Sequence, residues 1–157
     1  MLADFDRNDR VEVLLADDDR EVRSVLAFAL REAGYSITEA SSGDDLFEHL
    51  WARAECRSGF DLIISDVRMP GASGIEVIEL IRDLCDPGDP YEPEVHETPI
   101  IFITAFGDLE LHAAAARLGA LVFDKPFDIA DLRAAALGLV APVDDLSRLY
   151  CEDGDGD

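Results

Sequence analysis

Four groups of residues in this chain could do chemistry together, and each stands at or just beyond the end of a short apolar run. Asp17-Asp18-Asp19 follows Val11 to Ala16 (VEVLLA), and Asp66 follows Leu62 to Ser65 (LIIS). Thr104 closes Pro99 to Thr104 (PIIFIT), and Lys125-Pro126 comes just after Ala120 to Phe123 (ALVF). Carboxylates gathered in one place repel one another unless a cation sits among them. A hard ion such as Mg2+, which keeps several waters, suits one or two carboxylates combined with phosphate oxygens. A carboxylate can also attack phosphorus to form an acyl phosphate. The metal, a lysine ammonium and a hydroxyl would then neutralise the phosphoryl oxygens. Taken singly, each residue has a plainer explanation. The three aspartates could end a strand and cap a helix, with Asp19 as the cap. Asp66 could belong to the Met-Pro-Gly turn, Thr104 be a strand-end hydroxyl and Lys125 a solvated charge.

The pattern of the chain says what must hold these residues. Val22, Val25, Leu26, Ala29, Leu30 and Ala33 recur at helical spacing, with Gly34 placed to end the helix. Ser36 to Ala40 alternates as a strand. A second helix is expected from Gly43 to about Cys56, with Leu46, Phe47, Leu50 and Trp51 on its buried side. A third runs from about Gly74 to Cys85, carrying Ile75, Val77, Ile78, Leu80 and Ile81. Two more, from about Asp108 to Leu118 and from Asp128 to Val140, follow the last two strands, with Phe127 and Ile129 as packing residues. Five strands alternating with five helices imply parallel pairing through right-handed crossovers, a doubly wound α/β sheet. In such a sheet the functional crevice lies beyond the carboxyl ends of the strands, where all four groups stand.

Composition narrows the function. Formal net charge is −22, from 35 acidic and 13 basic residues, so a phosphate backbone or an anionic membrane surface would be repelled. No partnership with nucleic acid or membrane is expected. No apolar stretch nears the ~20 residues that span a bilayer, and a cytoplasmic location is expected. Cys56, Cys85 and Cys151 are far apart, without metal-ligand spacing, and read as reduced thiols. His49, His96 and His112 have no motif around them and are expected to be solvated or on helix surfaces. Lys125 is the only lysine, against twelve arginines. The expected organisation is an N-terminal extension over 1–10, one domain over 11–141 and an acidic tail over 142–157. Within the domain, the acidic, proline-rich stretch 86–97 reads as an inserted loop.

The segments LLADDD, LIISDVRMPGASG, PIIFITA and FDKPF resemble, in order and spacing, those of response regulator receiver domains, over roughly Val11 to Val140. The resemblance implies a flavodoxin-like five-stranded sheet in the order 2-1-3-4-5, and a phosphoacceptor of two-component or phosphorelay signalling. By motif position, Asp66 would accept the phosphoryl group and Asp18 would ligate Mg2+. Asp17 would act mainly through a bound water, and the backbone carbonyl of Arg68 would complete the protein's share. Thr104 and Lys125 would each bind a phosphoryl oxygen, with Pro126 at a cis peptide bond. The donor would be a histidine kinase or histidine phosphotransfer protein. With no room for a second folded domain after Val140, output is expected by contact with a downstream protein. The surface of the fourth helix, fifth strand and fifth helix is expected to serve, and the resemblance allows a homodimer through it.

The chain also departs from that family. The aromatic residue whose rotamer follows phosphorylation stands three places before the lysine, where this chain has Val122, with Phe123 one step later. Either Phe123 takes the role through a change of register, or the aromatic switch is absent; a strand alternates faces, so the two residues cannot point the same way. Arg68 and Phe106 are expected to shield the acyl phosphate from water. Two other functions compete: a module of the same fold that binds without phosphorylation, and an aspartate-dependent phosphohydrolase. Such hydrolases carry a second carboxylate two residues after the nucleophile, where Arg68 stands, which argues against turnover.

Overall fold

A computed structural model describes residues 10–56, 58–85, 88–89, 96–105 and 109–140. The extension before residue 10, the tail from 141 and most of the stretch 86–97 lie outside the described residues, as do Cys151 and Phe106.

Among the described residues, five strands form one parallel sheet in the order β2-β1-β3-β4-β5. They are β1 (Glu12–Ala16), β2 (Ser36–Ala40), β3 (Leu62–Asp66), β4 (Ile100–Thr104) and β5 (Leu121–Asp124), alternating with five helices. The expected fold class and strand order are therefore the observed ones. Every residue of β3 and β4 is buried, whereas the edge strands β2 and β5 are only partly covered. A strand covered on both faces has no solvent side to alternate with, which is why LIISD and IIFIT read as continuous apolar runs.

The helices cover both faces. On one side α2 (Gly43–Glu55), α3 (Gly74–Leu84) and α4 (Leu109–Arg117) pack on Leu14, Ile63 and Phe102. On the other, α1 (Arg20–Glu32) and α5 (Ile129–Val140) pack on Val13, Leu15, Leu62, Ile64, Ile101 and Ile103. Burying one such side chain contributes roughly 1.5–3 kcal/mol, so the central strands hold the sheet together. The fourth helix is the least embedded, with Ala115 its one buried residue.

Each of the first three helices starts on a side-chain cap. Asp19 accepts from the amides of Glu21 and Val22, Ser42 from Asp45 and Ser73 from Glu76. Just past α1, Gly34 takes a φ of +97°, a left-handed turn that glycine alone adopts without strain. Element ends differ from expectation by a residue or so, since the last turns are set by caps and not by periodicity. The largest consequence is that β5 runs to Asp124 and not to Phe123.

Three burial expectations are corrected. Trp51 is exposed; it stacks on Phe47 with ring centroids 6.1 Å apart and donates to Glu55. Val25 is 52% exposed while Ala27 is buried, so the buried stripe of α1 is Leu26, Ala27 and Leu30, not the wider face that spacing suggested. His96, expected at the surface, is half-buried with Nε2 2.8 Å from the Cys85 carbonyl, to which it donates when the proton is on that nitrogen. His49 and His112 do lie on helix surfaces, each beside a carboxylate. Phe127 and Ile129 pack against the α1/α5 side of the core.

Gly43 shows how tightly the site's supports are joined. A Cβ there would land on the backbone carbonyl of Ala72, in the connection that leads from β3 into α3. Gly43→Ala is expected to cost about 3 kcal/mol through forced backbone movement. Urea denaturation would measure it, and a loss below ~1 kcal/mol would show that the contact is soft.

Candidate functional site

The carboxyl ends of β1, β3, β4 and β5 bring Asp17, Asp18, Asp66, Thr104 and Lys125 to one edge of the sheet. Carboxylate oxygens of Asp17, Asp18 and Asp66 lie within 4.8 Å of one another. The Lys125 ammonium stands between two of them, with Nζ 3.1 Å from Asp66 Oδ2 and 3.4 Å from Asp17 Oδ2. Asp17, Asp66 and Thr104 are buried, while Asp18 faces solvent.

Backbone geometry explains why these positions converge. The sheet pairs Ala16 with Ser65, Asp66 with Ile103 and Thr104 with Asp124, so the chemistry-bearing residues sit at or within two steps of the final rungs. The Lys125 amide donates to the Thr104 carbonyl at 2.7 Å, which continues the β4–β5 ladder by one bond. Lys125-Pro126 is a cis peptide bond, as the resemblance implied. Asp66 Oδ1 accepts from the Arg68 amide at 3.1 Å, so the turn after β3 holds the carboxylate from behind.

Two residues that the sequence did not single out support this arrangement. A Cβ on Gly74 would come within 2.6 Å of both the Asp66 carbonyl and Ser65 Oγ, so α3 starts hard against the acceptor strand. Arg23, one turn into α1, donates to the Asp17 carbonyl at 2.7 Å. The only signal for Arg23 was a basic residue in the start of the helix that follows the three aspartates. For Gly74 it was a small residue after the Met-Pro-Gly turn.

Electrostatics follow from burial. Burial pushes the Asp17 carboxyl up from 3.8 to about 6, and the Asp66 charge adds to the rise. The Asp19 amide and Lys125 pull the other way. Burial alone would lower Lys125, but the Asp66 hydrogen bond and the Asp66 and Asp17 charges outweigh it and raise the ammonium above its ordinary value. Among the described residues, three carboxylates meet here and one ammonium reaches two of them, and oxygen donors at this spacing suit a small divalent ion.

Val122 and Phe123 point to opposite faces of β5. Val122 packs with Phe102 on the α4 side, whereas Phe123 packs on the α1/α5 side and meets Phe127 edge-on at 5.9 Å. Phe123 thus lies on the face of β5 away from α4, and Val122 on the face towards it. Of the pair expected to cover the acceptor, Arg68 is exposed and Phe106 lies outside the described residues. Among the described residues, no helix is long and apolar enough to cross a membrane.

Comparison with known proteins agrees with this geometry. The family model for the response regulator receiver domain matches residues 13–137. The response regulator receiver protein CpdR of Brucella abortus is 33% identical over 121 residues, covering 76% of this chain and 88% of CpdR. The transcriptional regulatory protein FixJ of Bradyrhizobium diazoefficiens is 34% identical over 119 residues, 74% of this chain and 50% of FixJ. This chain spans half or less of FixJ and of several other transcriptional regulators it matches. Among solved structures, a putative response regulator from Chloroflexus aurantiacus superposes with a TM-score of 0.68 at 27% identity, covering 85% of this chain and 99% of its own. The chemotaxis protein CheY4 of Vibrio cholerae superposes at 0.66 and 27% identity, covering 83% and 98%.

Proposed function

We propose that this chain, which belongs to the response regulator receiver family, accepts a phosphoryl group on Asp66 and signals through contact with another protein. Receiver domains are signalling modules that work with histidine kinases or phosphotransfer proteins and with downstream targets. The observation that carries the reading is the ammonium of Lys125 held between Asp66 and Asp17, with a third carboxylate, Asp18, beside them.

In the transfer, an Asp66 carboxylate oxygen bonds to phosphorus as the P–N bond of a donor phosphohistidine breaks, and the electron pair returns to the imidazole nitrogen. The Arg68 amide steadies the oxygen of Asp66 that faces the turn. Lys125, already at the carboxylate, follows the negative charge outward onto a phosphoryl oxygen, and the Thr104 hydroxyl takes another. Asp17, Asp18, Asp66 and the Arg68 carbonyl would hold Mg2+, which supplies charge neutralisation to the phosphoryl oxygens. The donor's approach is served by an apolar groove beside Lys125, lined by Val22, Val25, Phe127 and Ile129.

Output then follows as a population shift between surface arrangements, with a cytoplasmic location and a surface made of α4, β5 and α5. With Phe123 on the α5 side of β5, the coupling proposed here runs through the polar contacts at the end of β5. Among the contacts of the described residues at that edge, the Lys125 amide donates to the Thr104 carbonyl, and His112 Nε2 lies 3.2 Å from Asp124 Oδ1, which ties α4 to the end of β5.

The test is binding of beryllofluoride, which mimics an acyl-bound phosphoryl group, followed by amide NMR shifts. Trp51, exposed and lower on α2, is a poor reporter by comparison. Shifts at Asp66, Thr104 and Lys125 that need Mg2+ and beryllofluoride together are expected, with their spread towards His112 and Val122 showing whether α4 responds. No saturable binding would instead favour a module that signals without phosphorylation.

A further inference from the structure

The ladder between β1 and β2 ends with the Asp17 amide donating to the Ala40 carbonyl at 3.0 Å. Beyond that rung the chain must turn into α1 while presenting two carboxylates to the site. The Asp17 carbonyl, left at the turn, takes its hydrogen bond from Arg23 at 2.7 Å. A buried carbonyl without a donor is costly, so the bond holds the turn as well as filling it.

Arg23 is itself held. Its Nε donates to Glu39 Oε1 at 3.2 Å, and its side chain is 15% exposed. The other Glu39 oxygen is 3.3 Å from Arg31, which also donates to the Ile37 carbonyl. Glu39 thus carries two arginines of α1 on β2, but only one of them reaches the Asp17–Asp18 turn. From inside the turn, the Asp19 amide donates to Asp17 Oδ1 at 2.9 Å. A planar guanidinium can serve Glu39 and the carbonyl at once from fixed directions, which an ammonium cannot do with the same rigidity.

We infer that Arg23 is a positioning residue for the cation site: anchored by Glu39, it grips the Asp17 carbonyl and sets the placement of the Asp17 and Asp18 carboxylates. The inference rests on the receiver reading above, because it assigns Arg23 to the divalent-ion step of that site. It separates two roles within one cluster. Arg31 braces α1 to β2, and Arg23 braces the site.

The experiment is Mg2+ titration of the intact chain by NMR or calorimetry, with unfolding by urea measured on the same variants. Arg23→Met is expected to raise the Mg2+ Kd roughly ten-fold, and Arg23→Lys to restore it to within about three-fold, since an ammonium can still donate to the carbonyl. Arg31→Met, which removes the brace without touching the turn, is expected to lower stability but leave the Kd within about two-fold. Glu39→Gln keeps Arg23 and weakens its anchor, so it should shift the Kd in the same direction by less, and it serves if Arg23→Met does not fold. Equal shifts for the Arg23 and Arg31 variants, or an unchanged Kd in Arg23→Met or Glu39→Gln, would overturn the inference while leaving the receiver reading intact. Failure of the wild-type chain to bind Mg2+ would overturn both.

Discussion

Asp66→Asn is expected to abolish uptake of a phosphoryl group, lowering its rate on the order of 1000-fold, with the fold retained. An amide is nearly the same shape as a carboxylate but lacks the anionic oxygen that attacks phosphorus. The Arg68 amide, which donates to Asp66 Oδ1 in the native protein, can still meet the carbonyl of the asparagine side chain. Lys125 loses one partner and keeps Asp17, so the ammonium is not left buried and alone. Incubating both proteins with Mg2+ and a small-molecule phosphodonor, followed by intact mass, is the direct check. A mass gain of one phosphoryl group in the wild type alone is the expected outcome. Equal gain in the variant would place the acceptor elsewhere, and the acid-labile or hydroxylamine-labile character of the adduct would say on what kind of side chain.

Asp17→Asn is expected to do two opposite things: remove Mg2+ binding and stabilise the ion-free protein. The Asp17 carboxyl titrates near 3.8 in the unfolded chain and at about 6 when folded, chiefly because it is buried. A group whose folded value is raised contributes stability below its unfolded value and loses it as pH rises through the folded one. The native protein without metal is therefore destabilised by this carboxylate at neutral pH. At about 1.4 kcal/mol per unit, the neutral amide should recover about 1–3 kcal/mol, a figure that already includes the contact with Lys125. Urea unfolding at pH 7.5 and pH 5 in the presence of a chelator would show it. The advantage of the variant should be full at the higher pH and shrink through the window between about 6 and 3.8. Added Mg2+ should reverse the ranking, since only the wild type binds and is stabilised by mass action. A variant less stable than wild type at both pH values would mean that Lys125 already compensates the Asp17 charge in full.

Together these expectations describe a site that is unstable by construction. A buried carboxylate whose charge is short of a partner costs stability, and the same shortage would favour a bound cation. Arg23 belongs to that arrangement because a repelling pair such as Asp17 and Asp18 must be held in place by something other than its own attraction. Gly74 belongs to it by taking up no room behind Asp66.

The sequence by itself determined the order and kind of every element and the identity of the residues at the strand ends. It could do so because those signals are local. Buried parallel strands read as short apolar runs, helices as 3.6-residue periods, and strand ends as the places where aspartate, threonine and lysine interrupt them. Only the tertiary structure decided what those residues meet. Asp17 and Lys125 lie 108 positions apart, and their contact exists because the strand order puts β1 and β3 side by side with β4 and β5 beyond them. Likewise, which face of β5 Phe123 takes, why Trp51 stays in solvent and how Arg23 reaches the Asp17 carbonyl depend on registers and crossovers between distant segments. A one-residue change of register would exchange Val122 and Phe123 between the faces, so no local pattern could carry that information.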